Sequence, residues 1–212
     1  MADKIDFRKR LKPLYGPTRR QGIHLVTVPP MRYLMVDGAG DPNTESAYGA
    51  AVEALYGLAY ALKFASSRQL GRDYVVPPLE GLWWASDWAD FQRRDKASWH
   101  WTMMIMLPEW IGPALVARTI EAVGAKKKAP AALAALRVDV LEEGRCVQAL
   151  HIGPYDAEGP LIARMHDAFM PAHGLVPSGK HHEIYLSDPR RSVPDKLRTV
   201  LRQPVMQKAG IA

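Results

Sequence analysis

The chain has 212 residues, 48% of them hydrophobic and 24% charged, with a formal net charge of +6. That is enough length for one domain with a real core, and the composition excludes disordered, collagenous and coiled-coil classes. No apolar run approaches the roughly 20 residues of a membrane-spanning helix. Residues Met1 to Asp6 lack the apolar core of a signal peptide. The single cysteine, Cys146, excludes an internal disulfide and a thiolate zinc site. A cytoplasmic protein with no membrane partner is expected, with Cys146 as a structural thiol. The basic residues fall at Arg8 to Lys12, Arg19 and Arg20, Arg93 to Lys96, Lys126 to Lys128 and Arg190 to Arg202. Without a DNA-reading helix or a ribonucleoprotein motif they read as a solvated surface, and no nucleic-acid partner is expected.

In chain order, Ile23 to Val28 and Arg32 to Val36 read as a strand pair separated by Pro29 and Pro30, which cannot sit inside a sheet. Asp37-Gly38-Ala39-Gly40-Asp41-Pro42 is expected to break the second strand, and Asn43 or Thr44 to cap a helix. That helix buries Tyr48, Val52, Leu55, Ala59 and Leu62 at helical spacing. A strand follows at Leu79 to Ala85, then a polar, turn-like connection over Asp87 to Lys96, then a strand at Ser98 to Leu107. Pro113 opens a shorter helix ending at Gly124. Arg137 to Leu141, the turn Glu142-Glu143-Gly144 and Arg145 to Ile152 read as a hairpin broken by Gly153-Pro154. A helix from Pro160 buries Leu161, Met165 and Phe169 or Ala168, and His181 to Leu186 is the next strand.

The element order repeats. A hydrophobic strand ends in a glycine break, a helix follows, and a strand with an early glutamate closes each half: Glu80-Gly81-Leu82-Trp83, then Glu183-Ile184-Tyr185-Leu186. Two such units, at about 23–107 and 136–205, are expected to pair about a pseudo-twofold axis, with Glu80 and Glu183 facing one cleft. Strand alternation puts Glu183 and Tyr185 on one face, with His182, Ile184 and Leu186 on the other; it groups Glu80 with Leu82 and Trp84. Carboxylates among large rings suit a lipophilic cation, each ring adding about 0.5–2 kcal/mol as water is excluded. The plainer readings are core packing for Trp83 and, for Glu183, an ion pair with an arginine or lysine, of which Lys180 is the nearby example. A glutamate between apolar strand residues costs free energy unless something uses or satisfies it, which favours a functional Glu183 and leaves Glu80 evenly balanced.

Other chemistry is weakly represented. Gly38-Ala39-Gly40 lacks the third glycine of a dinucleotide fingerprint, no Walker lysine follows a glycine loop, and no serine elbow appears. His181 and His182 point to opposite faces and have no third partner at ligand spacing, so no metal and no cofactor are expected, and a surface or hydrogen-bonded role suits them.

Pro78-Leu79-Glu80-Gly81-Leu82-Trp83-Trp84, His151-Ile152-Gly153-Pro154-Tyr155-Asp156 and Gly179-Lys180-His181-His182-Glu183-Ile184-Tyr185-Leu186 resemble stand-alone GyrI-like small-molecule-binding proteins, over nearly the whole chain. The resemblance implies a single α+β domain over 1–212, of GyrI-like and SOUL-like architecture: tandem strand-helix-strand-strand modules with antiparallel sheets and helices packed on one face. It implies a pocket for lipophilic, often cationic, aromatic compounds with Glu183 at its centre; together with the strand reading above, Tyr185, Glu80, Trp84, Tyr155, Trp101 and Trp83 are the further ligand contacts expected. A helix-turn-helix reader has no room before Ile23. Some relatives of this type hydrolyse cyclopropylpyrroloindole-type genotoxins, for which Glu183 and Tyr185 would be the catalytic pair. The leading expectation is therefore a xenobiotic-binding protein, monomer or homodimer, with the hydrolase as alternative and a gyrase inhibitor ranked last.

Overall fold

The computed structural model describes residues 4–86 and 96–208, and the chain divides into two units. One comprises Met1–Arg10 and Met31–Leu141, the other Leu11–Pro30 and Glu142–Ala212. The turn expected over Asp87 to Lys96 lies, up to residue 95, outside the described residues.

In the first unit, β2 (Met31–Ala39) runs beyond the expected break at Asp37. Asp37, Gly38 and Ala39 stay in register with Thr102, Trp101 and His100, and the strand ends at Gly40, whose φ of 92° suits glycine. Gly38 is what lets the strand pass: a Cβ there would run into the Trp101 ring lying across it. Of the short helices α1 (Phe7–Arg10) and α2 (Lys12–Tyr15), the first belongs to this unit and the second to the other. The long helix α3 (Ser46–Leu70) starts after Glu45, without the side-chain cap expected from Asn43 or Thr44. It buries Ala51, Leu55, Leu58, Ala59 and Leu62 and ends at Gly71 in the left-handed conformation. β3 (Leu79–Ala85), β4 (Trp99–Met106) and α4 (Pro113–Gly124) form where the pattern and the proline predict. β5 (Arg137–Leu141) pairs with β2, so the antiparallel order is β3-β4-β2-β5.

The second unit holds β1 (His24–Val28), β6 (Gly144–Ile152), β7 (Leu175–Pro177), β8 (His181–Tyr185) and β9 (Arg198–Gln207). Their order is β1-β6-β9-β8, antiparallel, with β7 also on β9. Two expected pairings are therefore corrected. β1 pairs with β6 instead of β2, and β5 and β6 do not close a hairpin, because each finds a longer ladder in its own unit. A helical segment over 159–172 packs Met165 and Met170 on Val147, Ala149 and Leu201, with Leu161 and Phe169 at the margin. Its middle, Arg164–Phe169, is a π-helical turn.

The opposite face of this sheet carries buried charge that the sequence reading placed in solvent. Arg202 is 1% exposed. Its guanidinium donates to Gln148 Oε1 at 2.9 and 3.1 Å, to the Leu14 carbonyl at 2.9 Å and to Glu143 Oε2 at 3.1 Å. Glu143, expected in a hairpin turn, holds His182 Nδ1 at 3.0 Å through its other oxygen. Burial alone would raise the Glu143 carboxyl, but His182 and Arg202 outweigh it and hold the group at about 2. Burial pushes the Cys146 thiol up to about 12, as suits an inert structural thiol.

The depressed Glu143 value makes stability depend on acid. The contribution is complete above the ordinary value of 4.5 and is lost as pH falls from there to about 2. Glu143→Gln should lower the unfolding free energy at neutral pH by about 3–5 kcal/mol, since it leaves Arg202 buried without its counter-charge. Chemical denaturation across this pH range should show a smaller acid-dependent loss for the variant; an equal loss would place the acid sensitivity elsewhere.

Candidate functional site

Strand β8 presents His181, Glu183 and Tyr185 on one face and His182 and Ile184 on the other, because its side chains alternate. The face of Glu183 is also that of Leu201, its register partner, and hence the face the 159–172 segment covers. The Glu183 side chain is 12% exposed. Tyr185 donates its hydroxyl to Glu183 Oε2 at 2.8 Å, and His181 Nε2 stands 3.5 Å from Oε1. The carboxylate thus meets a phenol at one oxygen and an imidazole at the other.

Tyr155 arrives from the loop after β6. Gly153 has a φ of 142° and donates its N–H to the Leu197 carbonyl at 3.0 Å, while His151 Nε2 is 3.1 Å from the Pro154 carbonyl. These contacts turn the chain so that Tyr155 meets Tyr185 edge to face, with centroids 5.6 Å apart and planes at 78°. Thr199, the register partner of both Tyr185 and His151, is fully buried beside them, and its Oγ1 has no hydrogen-bond partner among the described residues.

His166, on the π-helical turn, completes the group. Burial and then the charge of His181 push its imidazole down to about 4, against a smaller opposing effect of Asp167. The sequence reading missed both histidines. The alternation that links Glu183 to Tyr185 also reaches His181, so that one was within reach. His166 was not, because a π turn breaks the helical period on which such a reading depends.

The first unit holds the remaining candidates on two faces. Glu80 is fully buried and its Oε2 accepts the Tyr33 hydroxyl at 3.3 Å. By alternation it shares a face with Leu82 and Trp84, and Trp84 stacks on His100 at 5.7 Å. Thr102 and Arg137 both donate to Asp37 Oδ1 on this face, at 2.6 and 2.9 Å. Trp83 and Trp101 lie on the other face, under α3, where Tyr48 packs 6.2 Å from Trp83 and 5.3 Å from Trp101 and Trp99 packs 5.6 Å from Trp83. Within their own units, Glu80 therefore points away from its helix and Glu183 toward its helix. Among the described residues no group of three His, Cys, Asp or Glu could hold a metal ion, and no helix is long and apolar enough to cross a membrane.

The profile of the GyrI-like small molecule binding domain matches residues 22–206. A crystal structure of an uncharacterized conserved protein from Listeria innocua is 41% identical, with a TM-score of 0.87, over 96% of this chain and 100% of its own. Two crystal structures described as hydrolases from Listeria innocua are 38% and 39% identical, with TM-scores of 0.81 and 0.84 and the same coverage. No curated protein matches the chain.

The histidine pair is directly observable. In a ring-nitrogen NMR titration His166 should protonate near pH 4, well below the ordinary 6.5. Its neutral form stabilises the fold fully above 6.5, and this contribution is lost as pH falls from there to about 4, a window above that of Glu143. His181→Gln should move the His166 midpoint upward but leave it below 6.5, because burial is the larger cause. A midpoint unmoved by that change would refute the coupling.

Proposed function

The chain belongs to the family of GyrI-like small molecule binding domains, and from that premise we propose that it binds lipophilic, cationic aromatic compounds through Glu183. The observation that carries this reading is a carboxylate 12% exposed, with two tyrosine rings beside it. A cation reaching Glu183 gains Coulomb attraction strengthened by the excluded water, and a flat ring system gains edge and face contacts on Tyr155 and Tyr185. A neutral molecule of the same shape gains only the second. The consequence is a preference for charge that does not depend on detailed shape, which suits sequestration of varied xenobiotics.

A hydrolase is the second reading, favoured by the description of two relatives, 38% and 39% identical, as hydrolases. For a cyclopropane fused to a conjugated carbonyl, Glu183 would accept a proton from water as the water oxygen bonds to the strained ring carbon. The ring carbon–carbon bond breaks, and its electron pair moves into the conjugated system to leave a phenolate. Tyr185 or Tyr155 would hydrogen-bond the developing phenolate oxygen, which ends as a phenol by taking the proton from Glu183. Water is added and the carboxylate is restored.

Two assays separate these readings. Glu183→Gln should weaken a cationic dye by about tenfold or more while changing a neutral analogue much less, because the variant removes charge and keeps volume. Equal weakening of both would make Glu183 a structural residue of the site and overturn the binding reading. A cyclopropanoid incubated with catalytic amounts of protein and followed by mass spectrometry should gain one water per turnover if the second reading holds. Tyr185→Phe should then slow turnover by about a hundredfold to a thousandfold, less than loss of Glu183 does. Retention of the unchanged compound over many equivalents would discard the hydrolase.

A further inference from the structure

Between α4 and strands β2 and β5 the first unit contains a cavity of about 390 Å3, remote in sequence from Glu183 and lined by neither Glu183 nor Tyr185. Cavities that hold small organic ligands run from roughly 300 to 1,000 Å3. Its walls are mostly aliphatic, with Leu34, Val116, Ile120, Val138 and Val140 prominent, and one of them carries Arg32. Val138 and Val140 are 37% and 49% exposed, so the apolar wall opens to solvent at the outer strand of this unit's sheet.

Arg32 sits opposite Val140 in the β2–β5 ladder, partly buried. Its Nη1 donates to the Ile111 carbonyl at 3.0 Å, which fixes the side chain across the cavity. No carboxylate of the described residues lies within ion-pair distance of it. The other cation of the lining, Arg137, is already paired with Asp37 at 2.9 Å. The lining's carboxylate, Asp139, shares a strand face with Tyr33, opposite to that of Arg32, and its Oδ1 accepts the Val140 N–H at 2.8 Å. A half-buried guanidinium is planar and offers a fork of N–H donors that fits a carboxylate. Set into an aliphatic wall, it selects a molecule with an anionic head and an apolar body.

We propose that this cavity is a second ligand site, for a small amphipathic carboxylate whose head pairs with Arg32 and whose chain lies against Leu34, Val116 and Ile120. The charge preference is the reverse of that proposed for Glu183, and the site is independent of that reading.

The test uses the full chain with octanoate and, as its uncharged counterpart, octanamide. Methyl NMR should show saturable shifts at Val116, Ile120 and Val138 with octanoate, and binding of octanamide should be weaker by about fivefold or more. Arg32→Gln should bring the two affinities together. Because Arg32 also holds the Ile111 carbonyl, Val138→Asp at the exposed rim provides a second variant less tied to folding. It should weaken octanoate about tenfold and octanamide less than about twofold, and leave cationic-dye binding at Glu183 unchanged. Equal affinities of octanoate and octanamide for the wild-type protein would overturn the proposal. So would octanoate shifts centred on Tyr155 and Tyr185, or a self-associated form whose interface covers α4 and β5 and excludes octanoate.

Discussion

The ion cluster beneath β8 sets what the rest of that strand can do. His182 bonds to Glu143 at 3.0 Å, and Glu143 to Arg202 at 3.1 Å, in a region from which water is removed. His182 and Arg202 are also register partners on β8 and β9. A slip of one residue would turn every side chain of β8 to the other face, bringing Glu183 over the cluster and His182 toward the helical segment. Two buried carboxylates would then compete for one guanidinium, and the imidazole would lose its partner. Such clusters add little net stability over an apolar core of equal volume, but they penalise the wrong register heavily. Holding Glu183 and Tyr185 on a defined face is thus a by-product of where His182 must go.

Alternation does comparable work in the first unit with rings instead of charges. Trp83 and Trp101 form the surface on which Tyr48 of α3 packs, so the large aromatic area goes into packing between helix and sheet. Gly38 is the corresponding concession on β2: the indole of Trp101 occupies the volume a side chain would take. The face left to Glu80, Trp84 and His100 is polar and aromatic together, and Tyr33 donates its hydroxyl to the buried carboxylate of Glu80.

Much of this was legible from period and punctuation. Alternation located β3 and β8, Pro113 and Gly124 bounded α4, and alternation also linked Glu183 to Tyr185. What failed was the assumption that neighbours in sequence are neighbours in a sheet. The pair across Pro29-Pro30 and the pair across Glu142-Glu143 both join strands of different units, and local sequence carries no sign of the longer-range ladders that β1, β2, β5 and β6 make instead. Glu143 was misread for the same reason. A glutamate before a glycine looks like a turn residue until Arg202 and His182, 59 and 39 positions away, are brought to it. The π turn around His166 hid a residue whose role depends on one extra position in the helix.

The Tyr185–Glu183 bond also bears on how the two functional readings differ. At 2.8 Å the phenol already donates to Oε2, so an incoming cation competes with that donor for charge density at one oxygen, whereas Oε1 meets His181 at 3.5 Å, beyond a short hydrogen bond. A cation settling toward Oε1 would leave the phenol contact in place. General-base action asks more. Oε1 would have to accept a proton from water, and Tyr185 could donate to a developing phenolate only by releasing Oε2, which makes the carboxylate a stronger base at the same moment. Tyr155, set edge-on to Tyr185, is the ring such a rotation would move against. On the binding reading the Tyr185–Glu183 bond would persist, whereas the catalytic reading would require the hydroxyl of Tyr185 to exchange partners.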